Sequence, residues 1–243
     1  MMHDFLKSFG DIIGNFSGVF VNVGTVILGS LIGLVLKKQI PEKLTNAVMT
    51  AIGLCTIAIG VTGVIKGQNQ LVMIISLVLG TIVGTLIDID DKLTRLGDKM
   101  QKKREGKKAS DNATFSQGFV TASLLFCVGA MTIVGSMNAG ISGDNQMLYT
   151  KSLLDLISSS MLAASLGFGV MASAIFVLVF QGGLVALSMV LGEFLSEFAV
   201  NEMICAGSVM IIALGLNLIG IAKIKVANLL PALIFVPIVC LVF

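Results

Sequence analysis

Apolar runs of roughly twenty residues, about the length that crosses the hydrocarbon core of a bilayer, follow one another along this chain. They are parted by short polar or glycine-containing breaks. Eight can be marked: Gly18–Leu36, Ala47–Ile65, Leu71–Ile89, Phe119–Met137, Ser152–Gly169, Val170–Leu195, Met203–Ala222 and Val226–Phe243. No other feature limits the fold so strongly. In lipid, backbone amides must find partners within their own segment, so such runs become helices. Only 12% of the residues are charged, against about 25% in soluble domains. The expectation is an all-α, polytopic transmembrane bundle of about eight spans.

Basic residues orient it. Lys37, Lys38, Lys43, eight basic residues between Asp90 and Thr114, and Lys223 and Lys225 fall on one side. Lys7, Lys66 and Lys151 fall on the other. Positive charge marks the cytoplasmic side, which places the N-terminus outside. The basic stretch from Asp90 to Thr114 reads as an extension of the third helix followed by a flexible tail. It contains acids and no aromatic residue, so it fits an anionic lipid surface and no nucleic acid.

Two parts of the chain resemble each other. VNVGTVILGSLIG (21–33) aligns with FQGGLVALSMVLG (180–192), which sets Asn22 against Gln181 and Gly33 against Gly192. The next segments align Gly60 with Gly215 and Thr62 with Asn217. Spans one to three thus repeat as spans six to eight. Two spans lie between them, which inverts the second copy. This gives five parts: an interfacial extension (1–17), a first three-helix repeat (18–89), the basic loop (90–114), a central pair of helices (115–169) and a second repeat (170–243). Inverted repeats are common in secondary transporters, with the site where the repeats meet.

Chemistry is scarce. The one histidine is His3, which excludes histidine-based triads and HExxH zinc sites. The four cysteines lie inside apolar runs and form no CxxC. No cofactor, metal site or enzyme is expected. What stands out is Asp155, the most isolated acid, with Lys151 one turn earlier on the same helix face. An ionisable residue in a span is a functional candidate by default. Its depth is less favourable, since the topology puts it near the outer end of the fifth span. Ser158 and Ser159 offer oxygens nearby. Gln181, Asn22 and Asn217 are amides within apolar runs, and Gln181 precedes Gly182-Gly183, where a helix break would be tolerated. These seven residues form the candidate substrate or ion site. The competing reading of the Lys151–Asp155 pair is an interfacial salt bridge. The join between spans five and six rests on Gly167-Phe168-Gly169, so a broken or re-entrant pair there is the alternative to two separate spans. GSMNAGISG (135–143) reads as a flexible loop, with a gate or filter-like turn as the alternative. Glu193, Glu197 and Glu202 read as a solvated rim. The GxxxG pairs Gly29/Gly33 and Gly80/Gly84 suit close helix packing, within the chain or in a homo-oligomer.

The segments FVTASLLFCVGAMTIVGS (119–136), GDNQMLYTKSLLD (143–155), SLGFGV (165–170) and FQGG (180–183) resemble the bacterial membrane family known as domain of unknown function 554. So do GSLIGLVLKKQIPEKL (29–44) and IGIAKIKVANLLPAL (219–233). The likeness covers about residues 20–243. It implies an integral protein of the bacterial cytoplasmic membrane, loosely labelled a sodium-driven efflux protein. From the residues, the expected function is a secondary transporter or ion-coupled carrier of a small ion or solute. A passive channel and a non-transport assembly or signalling protein are the alternatives.

Overall fold

The computed structural model describes residues 14–37, 42–105, 112–191 and 196–243. The described residues form ten α-helices and one 3-10 turn. The helices are α1 (Ser17–Lys37), α2 (Glu42–Val64), α3 (Gln70–Ile87), α4 (Ile89–Glu105), α5 (Asn112–Cys127), α6 (Ala130–Ser142), α7 (Gln146–Leu166), α8 (Gly169–Leu191), α9 (Glu197–Leu218) and α10 (Ala232–Cys240), with the 3-10 turn at Val226–Leu229. Five of them, α1, α2, α3, α8 and α9, are long and apolar enough to cross a membrane, and a sixth span results if α5 and α6 count as one bent unit. Their outer faces carry Leu28, Val35, Leu86, Val179 and Val190 in the open, as helices facing lipid do.

Small residues decide which helices touch. A Cβ on Gly29 would sit 2.2 Å from the Leu156 carbonyl oxygen, and one on Gly33 2.0 Å from that of Ser160. Glycine is therefore what lets α1 lie directly on α7. Likewise α2 meets α9 where Gly53 faces Gly215, and α3 meets α10 and the 3-10 turn at Gly80 and Gly84. Both GxxxG pairs thus serve packing within the chain. The core fills in behind these seams. Phe119, Leu124, Ile133, Met210 and Val236 form its larger cluster, and Val26, Phe126, Leu162, Val170 and Val177 a second.

Several expected boundaries move. The run Phe119–Met137 is two helices, α5 and α6, bent by 57° at Val128-Gly129. Leu125 to Gly129 is apolar without proline, so hydropathy carries no trace of the break. Thr132 Oγ1 covers the Phe126 carbonyl there at 2.9 Å, which replaces a lost helical bond. The segment 135–142, expected as loop, belongs to α6, and Gly143 ends it in the left-handed region at φ 73°. Helices α7 and α8 are separate and join at Gly167, at φ 79°.

The fifth run begins six residues earlier than its hydropathy suggests. Asn145 takes the Gly18 N–H at 2.9 Å and donates to the Gly14 carbonyl at 3.0 Å. Its polarity is thereby used inside the structure, and the helix starts at Gln146. The last run splits into the 3-10 turn and the nine-residue α10. The third helix does not continue into the basic stretch. Asp88 ends α3 in the left-handed region at φ 51°, and α4 starts anew, with a polar outer face and Leu93 packed inward. The expected tail at 106–111, like residues 1–13, lies outside the described residues.

The α1–α7 seam yields a paired prediction. Gly33→Ala should destabilise the protein by about 1–3 kcal/mol, the usual penalty of overpacking. Gly24, on the same helix with open space around it, should accept alanine at no loss. Thermal unfolding of the two variants in detergent measures the difference.

Candidate functional site

Helix α7 brings Lys151 and Asp155 onto one face, four residues apart, as an ion pair. Asp155 is the tenth of the 21 residues of α7. At 1.5 Å per residue it lies about 13 Å from the helix start. The expected position near the outer end is therefore corrected to mid-helix. Both side chains are buried, with 6% of Lys151 and 7% of Asp155 exposed. The Lys151 ammonium lies 5.8 Å from the centroid of the fully buried Phe126 ring. A solvated interfacial bridge would be far more open.

The glycine seam places α1 close enough for Asn22 to join this pair. Its amide lies near the Asp155 carboxylate and donates to Gln181 Oε1 at 3.0 Å. Asn22 and Gln181 are both fully buried. Lys151, Asp155, Asn22 and Gln181 therefore form one polar row across α7, α1 and α8. Asn22 Oδ1 and Gln181 Nε2 have no hydrogen-bond partner in it. One acceptor and one donor are left over in a dry interior, where such groups are costly.

The serines are arranged differently. Ser152 and Ser159 donate to the carbonyls of Leu148 and Leu156 of their own helix. Ser159 also fills the space beneath Gly29, so it is packing material. Ser158 is half-buried and lines the same cavity as Lys151 and Asp155. That cavity has a volume of about 380 Å³ and lies between α2, α7, α9 and the α5–α6 break.

Asn217 is not brought to this place. Its amide closes the loop after α9, donating to the Ile224 carbonyl at 2.7 Å and accepting the Ile224 N–H at 2.8 Å. It borders a separate polar cavity of about 730 Å³ with Asp90, Asp98, Lys223 and Lys225. There Lys225 bonds Asp88 at 3.1 Å. That bond holds the Asp88 carboxyl below its ordinary range, while burial pushes Asp90 above it.

Glu202 is a correction. It is fully buried instead of solvated. Its Oε1 accepts the N–H groups of Gln68 and Asn69 at 2.5 and 2.8 Å, which ties the α2–α3 turn to α9, and its Oε2 has no partner. Glu197 is exposed as expected, and Glu193 lies outside the described residues. Only the apolar residues after Glu202 hinted at its burial. Among the described residues no group of three histidine, cysteine or acidic side chains is placed to hold a metal.

The pair itself can be tested by stability. Lys151→Met alone leaves a buried carboxylate without its cation and should cost roughly 3–5 kcal/mol. Lys151→Met with Asp155→Leu removes both charges and should recover most of that loss. Unfolding in a denaturing detergent series compares the two.

Comparison with known proteins sets these residues in a lineage. The chain is 31% identical over 229 residues to the "Uncharacterized membrane protein YdfK" of Bacillus subtilis (strain 168), covering 93% of this chain and 96% of that protein. It is 29% identical over 218 residues to the "Uncharacterized protein YqgA" of Escherichia coli (strain K12), covering 89% and 93%. No solved structure matches it. The family model described as "Protein of unknown function (DUF554)" matches residues 17–241. With nearly its whole length matched, this membrane protein with several apolar helices belongs to the DUF554 family.

Proposed function

We propose that this protein is a secondary transporter or ion-coupled carrier of a small ion or solute, with Asp155 at its site. One observation carries the reading: a buried carboxylate–ammonium pair at the middle of a helix, beside the buried Asn22–Gln181 hydrogen bond that links α1 to α8. Such pairs inside membrane proteins mark ion and substrate pathways. They are maintained against the desolvation of both charges, which a purely structural helix contact would avoid with leucine. The broken α5–α6 unit beside the pair adds to this, since discontinuous helices present helix ends to a bound species.

The finer architecture belongs to the same proposal. Eight spans result if α5–α6 is one broken span, α7 a span despite its charges, and the 3-10 turn with α10 the last. The 21 residues of α7 extend about 31 Å, enough to cross. Inversion of the repeats is supported by the partners chosen. Each helix of the first repeat packs on its counterpart in the second, α1 on α8, α2 on α9 and α3 on α10. Asn22 and Gln181, equivalent by alignment, bond each other. The distribution of basic residues supports an N-terminus outside the cytoplasmic membrane. The reading includes no enzymatic step.

The test is flux in proteoliposomes of the full chain, followed with sodium-22 and with an enclosed pH-sensitive dye. The wild type should show saturable, counterflow-competent flux that Asp155→Asn abolishes. Equal flux in that variant removes Asp155 from the site. Single-channel currents in a planar bilayer would instead favour the passive channel.

A further inference from the structure

The cavity beside Asp155 has a composition that narrows its ligand. Lys151 and Asp155 supply its two charges, and Ile52, Leu125, Phe126, Met131 and Ile211 are among the residues of its apolar wall. Its 380 Å³ falls within the roughly 300–1,000 Å³ usual for small-molecule sites. The first turn of α6 contributes Gly129, Met131 and Thr132 to the wall, and no side chain caps that helix start. Asp155 uses one of the three N–H bonds of the Lys151 ammonium. The buried Asn22 Oδ1 and Gln181 Nε2, next in the row, lack partners.

We propose that this cavity binds a small zwitterion with an apolar side chain, an α-amino acid of the leucine kind, with its ammonium on Asp155 and its carboxylate on Lys151. The proposal rests on the carrier reading above and names its substrate class.

Neutrality is the deciding argument. The empty site holds one positive and one negative charge that satisfy each other. A lone cation on Asp155 would free the Lys151 ammonium in a dry place, and a lone anion on Lys151 would free the carboxylate. Either leaves a buried charge uncompensated, the situation that makes breaking one half of a buried pair so damaging. A zwitterion exchanges one internal pair for two new ones and adds no net charge. Its carboxylate also comes near the open N-terminus of α6, whose first N–H groups lack helical partners and favour negative charge. Its apolar side chain meets the aliphatic and aromatic wall, whose burial contributes about 25 cal/mol per Å².

The experiment measures binding of radiolabelled leucine to the purified full-length protein in detergent. Two competitors each carry one of its charges, 4-methylpentanoate and 3-methylbutylamine. Leucine should bind saturably, and each half-ligand should compete roughly 100-fold less well, the order expected when one buried charge loses its partner. Lys151→Met and Asp155→Asn should both lose leucine binding. Cys55→Trp, which adds bulk at an exposed residue of the cavity wall and leaves both charges in place, should lose it as well and decides the matter if the charge variants do not fold. Competition by either half-ligand as strong as by leucine overturns the proposal. So does leucine binding that survives Cys55→Trp, or no binding of leucine, methionine or phenylalanine. Flux of labelled leucine, sodium-22 and protons after reconstitution of the same protein into liposomes separates the two levels. Asp155-dependent flux without amino-acid binding defeats this inference and leaves the carrier standing. Leucine binding without such flux defeats the carrier.

Discussion

An ion pair buried at the middle of α7 is the constraint to which the rest of this structure answers. Two charges in a dry interior persist only if their remaining hydrogen-bonding capacity is met nearby. That requires another helix to come close, and α1 does so because Gly29 and Gly33 present no side chain to the α7 backbone. The close approach carries Asn22 to Asp155, and Asn22 in turn brings Gln181 of α8 into the row. Small residues and polar residues are thus two halves of one arrangement. In lipid there is little hydrophobic drive between helices, so backbone proximity and interhelical hydrogen bonds are what hold them.

The other seams follow the same physics with different content. Where α2 meets α9 the contact is glycine on glycine, and the polar tie is Glu202 holding the α2–α3 turn. Where α3 meets α10 the seam ends near Asn228, which accepts the Asp90 N–H at 2.8 Å. These ties lie at helix ends and close turns. Among the described residues, the Lys151–Asp155 row alone combines two buried charges, an adjacent cavity and a bent pair of helices, which is why it carries the functional reading.

Much of that row was legible in the sequence. Asp155, Lys151, Asn22 and Gln181 are polar residues in apolar surroundings, and such residues must find one another. The alignment makes Asn22 and Gln181 counterparts, and the structure bonds them to each other. Asn217 was drawn in by the same alignment, but a register says nothing about contacts, and its amide serves a loop. The place of Asp155 along its helix is hidden because Asn145 and Gln146 read as loop, whereas Asn145 bonds Gly18 and Gly14 and α7 starts at Gln146. The α5–α6 bend was invisible because Leu125 to Gly129 is uniformly apolar. Glu202 was lost in a stretch with two other glutamates, and only its backbone partners in a distant turn distinguish it.

We propose that solute from water reaches the cavity lined by Ser158, with Lys151 and Asp155 buried in its wall, while the exposed apolar face of α7 meets lipid. The most direct measurement of this central claim is thiol accessibility in membrane vesicles, in a chain whose four native cysteines are replaced. Ser158→Cys should react with a charged, water-soluble methanethiosulfonate reagent. Leu153→Cys, on the exposed apolar face of the same helix, should not. Equal inertness of the two positions, or faster reaction at Leu153→Cys, would contradict the account.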